Sequence, residues 1–168
     1  MKDLSHDIDI LIEDERWQAI DLPALAARAI TCVLDDQGLS SAIELSVLAC
    51  DDVRIAALNA DFRDKPTPTN VLSWPEADLG PDMDGDAPHA PAPDPSGAIS
   101  LGDIAIAYDT CAREAAAQNK PFVDHVTHLI IHGVLHLLGY DHIRVLDATR
   151  MEALEVKLLG IMGVSDPY

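Results

Sequence analysis

Two histidines with the spacing of metal ligands lie in an apolar stretch, at His132 and His136. Residues four apart share one face of a helix, roughly 5–6 Å apart at Cβ, so both imidazoles can reach one cation. His142 follows after Gly139, and glycine commonly ends a helix in the left-handed conformation and lets the chain turn back. The pattern predicts a three-histidine metal site with an open fourth position.

An open position on such a site favours hydrolytic chemistry. A water bound to zinc has a pKa of about 7, so it becomes a nucleophile at neutral pH. We therefore expect one Zn²⁺ per chain as the cofactor, although three imidazoles also accept nickel, cobalt or copper. His128 cannot share an ion with His136, because eight helical residues span about 12 Å. We expect His125 and His128 to pack in the core, to support the ligands or to face solvent.

The same histidine spacing occurs in metzincin proteases, which place a glutamate directly after the first histidine as general base. Gly133 occupies that position here. A zinc peptidase-type hydrolase is therefore an alternative that lacks its usual base. The plainer alternative is a helix whose buried histidines are satisfied by hydrogen bonds, and the ligand spacing of three histidines disfavours it.

A second set of polar residues lies upstream, where a predicted helix end delivers Arg63 and Lys65 into a Pro/Thr loop. The planar guanidinium of Arg63 suits a phosphate or a carboxylate. Asn70 and Ser73 follow at the start of a strand and can form hydrogen bonds. The alternative is an ordinary helix-to-strand loop with a solvated arginine.

Size and charge limit the possible functions. The 168 residues fit a single domain, residues 1–168, that is large enough for a real core. The net charge of −18 argues against strong, indiscriminate binding of RNA, since phosphate-binding surfaces are usually basic. An RNA-binding role would need a partner or a larger assembly that contributes affinity.

Hydrophobic periodicity and turn residues predict four strands and five helices. The strands are expected at residues 8–12, 43–50, 71–74 and 99–107, the last bent at Gly102. The helices are expected at residues 22–37, 52–62, 109–119, 122–138 and 146–159. Because helices and strands do not alternate strictly, we predict an α/β (α+β) sandwich around a small, four-stranded mixed sheet.

Residues 76–97, the acidic segment, differ in composition from the rest of the chain. They contain six acids and five prolines without any lysine or arginine, so we expect a mobile surface insertion.

Three features suggest a cytoplasmic protein. No apolar run approaches the roughly 18 residues of a membrane span, and residues 1–7 lack a basic region followed by an apolar stretch. The cysteines, Cys32, Cys50 and Cys111, are odd in number and widely spaced. We therefore expect neither a membrane partner nor a disulfide-linked partner.

Residues 58–75 and 132–142 together resemble the YbeY family of bacterial endoribonucleases in ribosomal RNA maturation. Residues 132–142 match the family's histidine motif throughout, and residues 101–104 look like its "GDI" strand. The end of the sequence, residues 160–168, also resembles that of the family. The resemblance covers essentially the whole domain.

This resemblance implies an α/β sandwich and a single-strand-specific, zinc-dependent endoribonuclease. It implies late maturation of the 3′ end of small-subunit (16S) ribosomal RNA and ribosome quality control. Expected partners are ribosomal RNA, the small ribosomal subunit and its assembly factors. The resemblance implies zinc ligation and catalysis by His132, His136 and His142, and action of Arg63 on the RNA phosphate. Binding of RNA is expected from Arg63, Lys65, Asn70 and Ser73.

Two questions stay open at this point. The general base could be a metal-bound hydroxide, Asp141 or the substrate's 2′-hydroxyl. The chain could also be a non-catalytic ribosome-assembly factor with a structural metal, but structural zinc sites are normally closed by four protein ligands. A closed site here would need a further ligand such as His128 or Asp141.

Overall fold

A computed structural model describes residues 6–39 and 41–168. The sequence analysis found no secretion signal in residues 1–7. Of these, residues 1–5 lie outside the described residues. The strands are β1 (Asp7–Ile12), β2 (Ala42–Cys50), β3 (Val71–Pro75) and β4 (Ala98–Ala107). The helices are α1 (Leu22–Asp36), α2 (Asp52–Arg63), α3 (Tyr108–Ala117), α4 (Phe122–Leu137) and α5 (Val145–Ile161), and a 3-10 helix spans Glu15–Ile20.

The four strands form one mixed sheet in the order β1-β2-β4-β3. β1 and β4 run parallel to β2, whereas β3 runs antiparallel to β4. The predicted α/β sandwich around a small four-stranded mixed sheet is therefore confirmed.

A bulge in β4 brings β3 close to it. Glu44 of β2 pairs with Ser100, but the next residue of β2 pairs with Gly102, so Leu101 is an extra residue. Gly102 has φ 129°, and a Cβ there would lie 2.1 Å from the Trp74 carbonyl oxygen of β3. Only glycine allows this approach, which confirms the bend expected at Gly102.

Helix α4 lies at the centre of the fold and contacts α1, α3, α5 and the sheet. Most of its residues are buried, and Ile130, Ile131 and Leu135 are fully so. Each such side chain contributes about 1.5–3 kcal/mol by leaving water. This burial fixes the helix in place and thereby fixes the histidines it carries.

The acidic segment contains neither helix nor strand. Its first part is held against the start of α5, where the Arg144 guanidinium donates to the carbonyl oxygens of Pro81 (2.7 Å) and Asp82 (3.0 Å). The Gly85 amide donates to the Asp147 carboxylate at 2.8 Å. The mobility expected of residues 76–97 stays a prediction.

Two further observations bear on the cellular setting. Within residues 6–39 and 41–168, none of the helices combines the length and apolarity that crossing a membrane requires. Cys32, Cys50 and Cys111 are free thiols. Burial raises the pKa of the Cys50 thiol to about 12, so it packs as an unreactive thiol.

Candidate metal centre and catalytic cleft

The turn after α4 brings the third histidine back toward the first two. Gly139 has φ 98°, and the Tyr140 amide donates to the Leu135 carbonyl at 3.0 Å, as in a Schellman helix end. A Cβ at position 139 would lie 2.7 Å from the Leu79 backbone. The expected role of Gly139 is confirmed, and the acidic segment packs directly on this turn.

His132, His136 and His142, the histidine cluster, each offer a ring nitrogen within 4.8 Å of the other two. The Nε2 atoms of His132 and His136 lie 3.0 Å apart. Both rings use their other nitrogen for an acceptor: His132 Nδ1 lies 2.6 Å from Glu155 Oε1, and His136 Nδ1 lies 2.9 Å from the Tyr140 carbonyl oxygen.

These hydrogen bonds decide what the two facing nitrogens can do. A carboxylate and a carbonyl both accept, so each Nδ1 carries the proton and, in a neutral ring, Nε2 carries a lone pair. Burial, and then the neighbouring His132, lower the pKa of His136 to about 4, so its ring is neutral at pH 7. With both rings in this neutral form, the two lone pairs at 3.0 Å would repel unless a cation lay between them.

The donor set fits zinc. With Zn–N bonds of about 2.0–2.1 Å, tetrahedral ligands lie about 3.3 Å apart, close to the separation of the facing Nε2 atoms. The His142 ring is exposed, and its centroid lies 5.4 Å from that of His132 and 5.1 Å from that of His136. The histidine cluster could therefore hold a metal ion with a position open to solvent.

A second group of possible ligands shares His132, together with His128 and Glu155. Here the His132–Glu155 distance of 2.6 Å is that of a charge-assisted hydrogen bond and is shorter than the spacing of two ligands on one ion. His128 Nε2 lies 3.3 Å from the same oxygen without hydrogen-bond geometry. Glu155 therefore supports the histidine cluster by holding the His132 ring at Nδ1.

The position of Gly133 explains the missing zincin glutamate. A Cβ at this residue would lie 3.1 Å from Ile104 Cδ1 and 3.3 Å from Ser73 Oγ. Helix α4 therefore packs closely on the sheet at Gly133, and a larger side chain there would have to displace the side chains of Ile104 and Ser73.

Asp141, one candidate for the general base, lies near His136 and lines the same cavity as the three histidines. Its Oδ1 accepts from the His142 amide at 2.8 Å and lies 4.0 Å from His136 Nδ1. Asp141 therefore shapes the turn, and its role as a general base stays a prediction.

One cleft of about 960 Å³ is lined by the histidine cluster and by Arg63, Lys65, Asn70 and Ser73, here called the arginine segment. The structure thus brings together all seven residues expected from sequence. Arg63 is the last residue of α2, which ends because Asp64 adopts the left-handed conformation at φ 55°. Arg63 and Lys65 are exposed, and among the described residues neither side chain has a hydrogen-bond or ion-pair partner.

Asn70 and Ser73 are tied to the protein. Asn70 Nδ2 donates to Glu114 at 3.0 Å, and its Oδ1 accepts from the Val71 amide at 2.7 Å. Ser73 Oγ donates to the Gly133 carbonyl at 3.3 Å. These bonds position β3 against α3 and α4, and direct RNA contacts by Asn70 and Ser73 stay a prediction.

Sequence reasoning missed Glu155, the partner of His132. Although burial raises the pKa of this carboxyl, its polar contacts with His128, His132 and Tyr168 outweigh burial and lower it to about 2. A signal was present in the sequence: Glu155 is a charged residue in the middle of a helical stripe with Met151, Leu158 and Leu159, all of which are buried. A carboxylate on such a stripe needs a buried partner.

Of the roles expected for His125 and His128, packing fits His125. His125 is buried, and its Nε2 lies 3.1 Å from Glu114 Oε1. Since Glu114 also binds Asn70, one carboxylate joins α3, α4 and the start of β3 behind the cleft.

The family model described as Endoribonuclease YbeY matches residues 8–163 of the chain. A Ruegeria pomeroyi protein named Endoribonuclease YbeY is 60% identical over 162 residues, covering 96% of this chain and 97% of that protein. A Dinoroseobacter shibae protein of the same name is 57% identical, covering 96% and 90%. A Thermotoga maritima protein solved in solution is similar in fold, with a TM-score of 0.54 and 24% identity over 95% of this chain and 97% of that one.

Proposed function

The chain belongs to the endoribonuclease YbeY family, and from this premise we propose that it is a zinc-dependent endoribonuclease specific for single-stranded RNA. Its proposed role is late maturation of the 3′ end of 16S ribosomal RNA and ribosome quality control. One observation carries the proposal: two cation-facing imidazole nitrogens and an unpaired arginine line the same open cleft.

His132, His136 and His142 would hold the zinc ion. Bound zinc would supply a Lewis acid and a water with a pKa of about 7. The protein's own contribution is to give Nδ1 of His132 and of His136 a hydrogen-bond acceptor, so that Nε2 of each ring would be directed to the ion.

Arg63 would bind the scissile phosphate. Its guanidinium is free of acidic partners among the described residues, so it can donate two parallel hydrogen bonds to phosphate oxygens. Those bonds strengthen as charge builds up on the phosphoryl oxygens in the transition state. Lys65 would contact a neighbouring phosphate as a point charge.

The remaining parts of the proposal concern the cellular setting. A chain of charge −18 gains little affinity for RNA from long-range attraction. We therefore propose that the small ribosomal subunit and its assembly factors present the RNA, and that the protein works in the cytoplasm, where that substrate is found.

The two other functions have less support. A zinc peptidase would need a base, and Gly133, which packs closely on the sheet, supplies none at the usual position. A closed structural zinc site would need a fourth protein ligand, yet among the described residues the group of possible ligands around His136 and His142 contains only one further residue, His132.

The decisive experiment is cleavage of a precursor 16S ribosomal RNA fragment that carries the immature 3′ end. Zinc-loaded, chelator-stripped and zinc-restored protein are compared on the single-stranded fragment and on the same fragment annealed to its complement. We expect cleavage of the single strand that stripping abolishes and zinc restores. Equal cleavage of the duplex would overturn strand specificity, and cleavage by the stripped protein would overturn zinc dependence.

A further inference from the structure

The carboxylate of Glu155 is buried outside the cleft, next to the histidine cluster. It lies on α5 with 1% of its surface exposed. Burying a carboxylate is costly unless charge partners and hydrogen bonds compensate for the lost water. Here Oε1 contacts His132 Nδ1 at 2.6 Å, and Oε2 accepts a hydrogen bond from the Tyr168 hydroxyl.

We propose that Glu155 and Tyr168 act as one positioning unit that fixes His132 for metal binding. Glu155 holds the His132 ring through Nδ1, on the opposite side of the ring from the metal-facing Nε2. The Tyr168 hydroxyl holds the Glu155 carboxylate through Oε2. This inference rests on the proposed zinc site, and it adds two residues that contact neither the ion nor the RNA.

The contact with Glu155 sets two properties of His132 at once. It places the ring proton on Nδ1, and it stops the ring from rotating about its side-chain bonds. A negatively charged acceptor also makes the opposite nitrogen a better electron donor to a cation. His136 receives only a neutral carbonyl, and His142 has no ring hydrogen bond to a described residue. Among the three histidines, His132 is therefore the proposed ligand whose ring is held by the strongest hydrogen bond.

Tyr168 reaches Glu155 from the segment that follows α5. This segment is fastened at two places before Tyr168: the Val164 amide donates to the Leu159 carbonyl at 2.8 Å, and Lys120 Nζ donates to the Pro167 carbonyl at 3.1 Å. The Tyr168 ring also packs edge-on against His128, with centroids 5.8 Å apart. The hydroxyl is thus delivered to Oε2 by a fixed backbone.

A purely structural role for this unit makes a different prediction. If Glu155 only joined α5 to α4, its loss would lower the stability of the protein but leave the zinc affinity of a folded variant unchanged. Positioning requires the opposite: zinc affinity falls in a protein that remains folded.

The test measures zinc affinity of the full chain by competition with a chromogenic chelator, without RNA. Glu155→Gln keeps the size of the side chain but removes its charge, and Tyr168→Phe removes one hydroxyl. Loss of such supporting groups typically weakens metal binding about 10- to 100-fold. We expect that range for Glu155→Gln and a smaller loss for Tyr168→Phe. The control is Glu152→Gln, an exposed carboxylate on the same helix, which should match the wild type.

Thermal melts of the metal-free variants and visible spectra of their cobalt complexes complete the test. A changed cobalt spectrum in a folded variant supports positioning. Wild-type zinc affinity in folded Glu155→Gln overturns the inference, even if its melting temperature falls. Should Glu155→Gln fail to fold, Tyr168→Phe decides: unchanged affinity overturns the inference, and reduced affinity with a changed cobalt spectrum supports it.

The same measurements separate this inference from the proposed function. If the wild-type chain does not bind zinc, the proposed cofactor is wrong. If it binds zinc but Glu155→Gln binds equally well, only the positioning role fails. RNA cleavage does not enter either comparison.

Discussion

The histidine cluster and the arginine segment line the same cleft but are held in different ways. His132 and His136 have only 20% and 22% of their side chains exposed, and each ring is fixed by a hydrogen bond on Nδ1. Arg63 and Lys65 are exposed, and their charged groups contact no acceptor among the described residues. The protein itself therefore holds His132 and His136 in place, whereas Arg63 and Lys65 are free to adjust to the proposed RNA substrate.

This difference follows from what each side must bind. A metal ion requires ligand atoms at fixed distances of about 2.0–2.1 Å, and a rotating ring would lose affinity. A phosphate on a flexible RNA strand can be met by a long side chain that adjusts to it. Changes in the histidine cluster should therefore alter metal binding first, and changes in the arginine segment should alter RNA cleavage alone.

The largest effect is expected from His136→Ala. One of three ligands is lost, so zinc binding and RNA cleavage should both fall to background, as measured by chelator competition and by the precursor-RNA assay. His89→Ala is the matched control, because this exposed histidine lies in the acidic segment outside the cluster. Cleavage that persisted in metal-free His136→Ala would break the comparison, since the cluster would then not be needed for chemistry.

Arg63→Ala should come next. Removing one group that stabilises transition-state charge typically costs about 10²–10³ in rate. We expect a loss of this size in RNA cleavage with unchanged zinc affinity, because Arg63 touches none of the histidines. Arg28→Ala, an exposed arginine on α1 outside the cleft, is the control. Weaker zinc binding in Arg63→Ala would show that the two sides are coupled.

Gly133→Ala tests the place where the two sides meet. The added Cβ would lie 3.1 and 3.3 Å from the side chains of Ile104 and Ser73, and overpacking of this kind costs about 1–3 kcal/mol, part of which the helix preference of alanine offsets. Gly160→Ala is the matched control in α5, where a Cβ meets open space and alanine should stabilise the helix by up to about 1 kcal/mol. In urea unfolding, Gly133→Ala should therefore be less stable than Gly160→Ala. Equal shifts would contradict tight packing of α4 on the sheet.

The sequence predicts the three histidines of the site better than it predicts the residues that hold their rings in place. His132, His136, Gly139 and His142 are close in the chain, so helix geometry and a glycine turn suffice to bring them together. The contact with Glu155 joins residues 23 apart on different helices. Its geometry depends on how α5 packs on α4, which no local pattern specifies.

The same reasoning applies to the fold. Strands and long helices follow from periodicity, and all nine were predicted at nearly their observed bounds. The 3-10 helix Glu15–Ile20 was missed because six residues carry no clear period. It forms around Trp17, which is fully buried and donates from its indole to the Cys50 carbonyl at 3.0 Å. Docking of the acidic segment on α5 was missed because most of its contacts use backbone groups of the segment, such as the Pro81 and Asp82 carbonyls and the Gly85 amide, which any sequence possesses.

The smallest effect is a pH dependence that belongs to the histidine side alone. In the metal-free protein the folded pKa of His136 is about 4, below its ordinary value of 6.5, so the unfolded chain takes up the proton first as pH falls. The contribution of His136 to the free energy of unfolding is therefore complete above pH 6.5 and is lost as the pH falls from 6.5 to 4. The slope cannot exceed about 1.4 kcal/mol per pH unit for one proton.

Urea unfolding of the metal-free protein across this pH range measures that slope. The many carboxylates also titrate near its lower end, so the informative quantity is the difference between wild type and His136→Gln. The glutamine variant should have a shallower slope, because it lacks the group that takes up the proton. Arg63→Ala should keep the wild-type slope, because Arg63 stays charged throughout and does not contact the histidines. If the slopes of wild type and His136→Gln are equal, His136 is not held neutral by burial, and the two sides differ less than their geometry indicates.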